Sequence, residues 1–145
     1  MTIKVPTKCA VCHDDKIIIL SDKGSGGPIL RVINTKRIVV SKISVDHCIQ
    51  GITGEKCDYL LRYIRDNVAF SIYVELKGSD IKKAHSQIYN TVRHLGISNE
   101  KRIGYVVANR VPRLNSSLQI IMKQLGENLK ISIRTLCSNN EISLP

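Results

Sequence analysis

The sequence predicts an α/β protein with a mixed central β-sheet flanked by helices. Three observations predict it. The first half holds several β-rich segments and ends in a hairpin of aromatic and β-branched residues. The second half alternates strand and helix patterns in the order β-α-β-α-β. The 145 residues are 43% hydrophobic, enough for a single domain over 1–145 to bury its own core. Strands followed by such an alternation fold as helices packed on a mixed sheet.

Each element has its own signal. KIIIL (16–20) reads as a short strand and SDKGSGGP (21–28) as a loop, while ILRVIN after it fits either strand or helix. RIVVSKISV (37–45) reads as a strand that can run on to Ile49 before a GITGE turn. CDYLLRYI (57–64) and VAFSIYVELKG (68–78) are strongly β. Asp66-Asn67 between them tolerates positive φ and suits a tight hairpin turn. That turn sets Cys57, Tyr59, Leu61 and Tyr63 against Leu76, Val74, Ile72 and Phe70, an apolar face expected to be the core. A one-residue slip would break this match, so the register is well specified.

Past the hairpin, Ser79 is the expected N-cap of a helix with apolar residues at 81, 84, 88, 92 and 95, stopped by Gly96. RIGYVVAN (102–109) is the next strand, ended by Pro112. SSLQIIMKQLGEN (116–128) is a second helix, capped by Asn115 or Ser116. LKISIRTL (129–136) alternates as an edge-like last strand.

The other face of the hairpin carries the chemistry. It pairs Leu60 with Tyr73, Arg62 with Ser71, and Asp58 with Glu75, and Lys77 is next along it. Directly opposed residues hold their Cβ atoms about 4.5–5.5 Å apart. Two ionised carboxylates at that distance repel, and a cation between them removes the cost. Carboxylate oxygens suit Mg²⁺, which needs only one or two protein carboxylates beside water and phosphate oxygens; Mn²⁺ is expected to substitute. Lys77 is then placed to act on an attacking water or on developing phosphorane charge. The bland reading of Glu75 and Lys77 is a surface ion pair, which contributes little.

Charge points the same way. Lys plus Arg number 22 against 12 for Asp plus Glu, a formal net charge of +10. Such a surplus favours a polyanionic partner, most simply nucleic acid. The cations are spread along the chain, so any footprint is assembled by folding; Arg62, Lys82, Lys83 and Arg110 are the expected phosphate contacts. Only 4% of residues are aromatic and none is Trp, against a single-strand binder built on stacking platforms.

Asp58, then Glu75-Leu76-Lys77 on the following strand, then a helix, resembles the PD-(D/E)XK superfamily of restriction-endonuclease-like nucleases. The resemblance covers about residues 37 to 110. It implies a mixed four-stranded core sheet flanked by helices, Mg²⁺ held by Asp58 and Glu75, and a Lys77 that assists the nucleophilic water. Gln87 matches a polar position that some branches use near the site. The stretch VDHC…GEKCDYLL…YVELKGSDIKKA also resembles small bacterial proteins with no assigned activity. Cys57 stands where the family has a proline. Residues 1 to 45 lack the N-terminal Glu that members often carry, a role that Asp46 or Glu55 would fill. The resemblance implies a nuclease acting on DNA more than RNA, with a homodimer suited to cutting both strands. The alternative is an inactive nucleic-acid- or protein-binding module on the same fold.

The remaining motifs carry less. No stretch of 18 apolar residues predicts a membrane span, and MTIKVPTKCAVCHDD lacks a secretory h-region. The five cysteines are therefore expected as free thiols in the cytoplasm. CAVCH (9–13) matches a haem-attachment pattern, but attachment needs export. Cys9, Cys12 and His13 with His47 or Cys48 would make a zinc knuckle, against the plainer reading of a terminal hairpin. GSGGP (24–28) lacks the ending of a phosphate loop. His85 and His94 read as polar helix positions, and Cys137 has no base at a readable spacing.

Overall fold

The computed structural model describes residues 2–22, 27–76, 80–109, 115–137 and 140–145. After a 3₁₀ turn at Thr7–Cys9, the strands are β1 (Ala10–His13), β2 (Ile17–Ser21), β3 (Ile29–Ile33), β4 (Val40–Ser44), β5 (Tyr59–Arg65) and β6 (Val68–Leu76). Then follow α1 (Ile81–Leu95), β7 (Glu100–Ala108), α2 (Ser116–Asn128), β8 (Ile131–Cys137) and β9 (Asn140–Ser143). The protein is mixed α/β. Six strands form one sheet in the order β1-β4-β5-β6-β7-β8, and β2-β3-β9 form a second.

The hairpin has the register its turn chemistry dictates. Asp66 and Asn67 both sit at positive φ, 51° and 63°, and Tyr59 pairs with Val74 through to Arg65 with Val68. Tyr63 and Phe70 stack with ring centroids 5.0 Å apart. β4-β5-β6 is an antiparallel meander; β7 and then β8 add in parallel through α1 and α2. Parallel neighbours require such crossovers. ILRVIN is strand, as its alternating burial requires.

The expectation of one core face is corrected. Leu60 and Tyr73 are as buried as Leu61 and Ile72, because β5 and β6 are apolar on both sides. One cluster joins Leu60, Tyr73 and Val106 to Ile88 and Val92 of α1, with Leu125 of α2 packed against it. The other joins Leu61, Ile72 and Val107 to Ile18, Leu20 and Val32 of the small sheet. Both helices therefore lie on one face of the large sheet, and the small sheet, not a helix, covers the other.

Two further expectations change. Asp80 caps α1, its carboxylate accepting the Lys83 N–H at 3.0 Å; Ser79 lies outside the described residues. Cys9 and Cys48 are joined in a disulfide, so the free thiols among the described residues are Cys12, Cys57 and Cys137. The bridge pins the chain before β1 to the turn after β4.

Candidate functional site

The site lies where β5 begins and β6 ends. Asp58 immediately precedes β5 and is held by its backbone: its N–H donates to Val74 O at 3.1 Å, and its carbonyl accepts from Val45 N at 2.9 Å. Its carboxylate Oδ2 accepts the Leu76 N–H at 2.8 Å. Glu75 points to the α1 side of the sheet and is buried, 3% exposed. The Asp58 and Glu75 carboxyls are within hydrogen-bonding reach of each other.

Burial pushes the Asp58 carboxyl above its ordinary range, outweighing the stabilising bonds from Leu76 and Glu75; the negative charges of Asp22 and Asp46 push the same way. A hydrogen bond between two carboxyls requires a proton between them.

The surroundings vary in what they add. Asp46 is exposed in the turn after β4, close enough for its charge to act on Asp58. Gln87 of α1 donates Nε2–H to Lys56 O at 3.3 Å, while its buried Oε1 has no hydrogen-bond partner. Thr91, one turn on, accepts from the Cys57 N–H at 2.9 Å. α1 thereby fastens the chain just before Asp58. Lys77, the expected partner of the water, lies outside the described residues, as does Arg110. Lys82 and Lys83 are exposed on the first turn of α1. Glu55 is exposed.

Arg62 is not brought to the carboxylates. It is four residues along β5, about 13 Å at strand rise. It donates to Ser71 Oγ at 3.1 Å and to Leu95 O at 2.6 Å, and lies 3.8 Å from Glu100. The fully buried Glu100 carboxylate also accepts from Arg102 Nε at 2.9 Å. This network closes the far end of the sheet against α1 and is structural.

Nor does the chain gather a zinc knuckle. Cys9 and Cys48 are consumed by their bond. His13 ends the strand that Cys9 precedes, about 13 Å away at strand rise, and Cys12 faces opposite to Val11 and His13. His13 instead pairs its Nδ1 with Asp15 at 3.1 Å. Cys57 is inert: burial, the largest effect, pushes its thiol far up.

Sequence reasoning missed Asp22. It follows β2 in the second sheet, and the Tyr59 hydroxyl, donating to Ser21 O at 2.8 Å, ties that strand end to the residue after Asp58. No local spacing links the two; only the contact between sheets does.

Two hard carboxylates suit Mg²⁺, and the partnerless amide oxygen of Gln87 is a donor of the same hardness. Among the described residues, no group of three or more His, Cys, Asp or Glu stands ready to hold a metal, so water and substrate oxygens would complete the shell. No helix among them is long and apolar enough to cross a membrane. Comparison with known proteins finds no matching family model, no matching curated protein and no matching solved structure.

Proposed function

We propose that the protein is a Mg²⁺-dependent nuclease that hydrolyses phosphodiester bonds, in DNA more readily than RNA. The observation that carries this reading is the contact between the Asp58 and Glu75 carboxyls at one strand end. It is supported by the element order: an antiparallel meander, a helix, then a parallel strand, with one acid just before the meander's second strand and the other near the end of its third. The PD-(D/E)XK resemblance implies a mixed core sheet of four strands flanked by helices; here the mixed sheet has six strands and both helices lie on one face. The net charge of +10 fits a polyanionic substrate.

In this reading Asp58 and Glu75 hold the ion. The Leu76 N–H orients one carboxylate, and the sheet fixes both before substrate arrives. A bound Mg²⁺ supplies Lewis acidity toward the phosphate and lowers the pKa of coordinated water. Lys77 orients or deprotonates the attacking water, or neutralises the developing phosphorane charge. Asp46 and Gln87 complete the rim, and Lys82 and Lys83 hold phosphates. A homodimer would present two such sites to a duplex.

The second reading, a binding module on the same fold, is favoured by the contact between the two acids, in which one carboxyl can donate to the other without a metal. Cleavage of plasmid and linear DNA decides between them. The wild type should cut with Mg²⁺ or Mn²⁺, and Glu75→Ala and Lys77→Ala should retain DNA binding while losing cutting by 100-fold or more, the order expected for such groups. A wild type inert with both ions leaves the module.

A further inference from the structure

Helix α1 covers part of the sheet face beneath it. Ile43, Leu60 and Tyr73, opposed across β4, β5 and β6, belong to the cluster that holds the buried side of α1. The next row along that face is Cys12, Ser41, Arg62, Ser71 and Arg102, opposed in turn across β1, β4, β5, β6 and β7. Here the helix stops: Arg62 Nη2 donates to the carbonyl of Leu95, the last residue of α1. The row after it is Ile64, Ala69 and Glu100, whose carboxylate turns back to Ser71 and Arg102.

The face left open beyond α1 is apolar at its outer end. Ile64 is 68% exposed, Val39 just before β4 is 62% exposed, and Ile97 just after α1 is 43% exposed. They border a cleft of about 510 Å³, and none of its described lining residues comes from a helix. Ligand clefts are mostly apolar, of about 300–1,000 Å³, with a few fixed polar groups that orient the ligand.

Arg62 and Glu100 are the charged residues of the described lining. The Glu100 side chain is fully buried while that of Arg62 is 21% exposed, so the charge a ligand meets is the cation. Glu100 does not neutralise it alone. The same carboxylate lies 2.9 Å from Arg102 Nε and 3.8 Å from Arg62 Nη2, one acid for two guanidiniums. Bonds to Ser71 Oγ and Leu95 O fix the Arg62 guanidinium before anything binds.

That arrangement, cationic beside α1 and apolar at the open end, selects the occupant. A second copy would set one Arg62 network against another in a chain of net charge +10, which repels. We propose that the cleft binds a small apolar monocarboxylate, its carboxylate accepting from Arg62 and its hydrocarbon body lying over Ile64, Val39 and Ile97. Cys12, an exposed free thiol, also lines the cleft, two strands from Arg62 in the same row and about 10 Å away at sheet spacing. The bound molecule therefore shields it.

The test is isothermal titration calorimetry in EDTA with decanoate, decanol and decylamine, which share a chain and differ in the head. It needs no metal and no cleavage, so its outcome is independent of the nuclease reading. Decanoate should bind about tenfold or more tighter than decanol, the order of one charge-assisted hydrogen bond, and decylamine weakest. Ile64→Glu places a second anion beside the carboxylate and should weaken decanoate about tenfold or more. Ile120→Glu, at a position of α2 that is 58% exposed, should change it less than about twofold. In a Cys137→Ser background, decanoate at about ten times its Kd should slow alkylation of Cys12 by iodoacetamide about tenfold. A wild type that binds no decanoate overturns the proposal. So do equal affinities for the three heads, equal losses in Ile64→Glu and Ile120→Glu, or an unchanged rate at Cys12.

Discussion

Asp58 and Glu75 face each other where β5 begins and β6 ends, with the Leu76 N–H donating to Asp58 at 2.8 Å and the two carboxyls within hydrogen-bonding reach. Burial raises the Asp58 carboxyl, so ionising it costs the fold stability. The cost is absent below pH 3.8, grows as pH rises through the raised value, and is complete above it. Asp58→Asn should therefore raise the melting temperature in EDTA at pH 7. Mg²⁺ should stabilise the wild type and not the variant. Calorimetric scans with and without the ion check both.

The Cys9–Cys48 bridge closes a loop with a sequence separation of 39. Chain-entropy reasoning gives about 4 kcal/mol for a loop of that size. Cys9→Ser with Cys48→Ser, or treatment with dithiothreitol, should lower the urea midpoint accordingly. An unchanged midpoint would show that the bridge adds no stability. Mass spectrometry should count three alkylated thiols in the unfolded, unreduced wild type, matching Cys12, Cys57 and Cys137.

His85 should titrate near pH 4 instead of 6.5, because burial disfavours its charged form. Its contribution to stability is present above pH 6.5 and is lost as pH falls through about 4, the opposite sign to Asp58. The His85 Cε1–H chemical shift follows the midpoint directly by NMR. In thermal scans His85→Gln should flatten the decline between pH 6 and 4.

Gly126→Ala should destabilise the fold by about 1–3 kcal/mol. Helix propensity alone favours alanine by about 1 kcal/mol. Here the added Cβ would sit 2.9 Å from the backbone oxygen of Ile131, and a backbone atom cannot swing away. Urea denaturation reads the sign: a higher midpoint means that α2 lifts freely and propensity wins.

Legibility in the sequence followed the range of each interaction. The β5–β6 register was readable because Asp66-Asn67 fixes the turn and apolar alternation fixes the faces; with it came the meeting of Asp58 and Glu75. α1 was readable from its apolar spacing, although Asp80, one residue past the expected Ser79, does the capping. β1 and β9 are four residues each and exist only through pairing with β4 and β3. The Cys9–Cys48 bond and the approach of Asp22 join segments far apart in sequence, which no local pattern encodes. Arg62 was placed on the correct face, but strand rise carries it to the opposite end, into the Glu100 network.

The account rests on the acid pair as a cation site, and manganese soaked into crystals of the wild type tests it most directly. The expected result is an anomalous peak about 2.1 Å from one oxygen each of Asp58 and Glu75, with their mutual hydrogen bond broken. Manganese elsewhere, with the two carboxyls still bonded to each other, would contradict it.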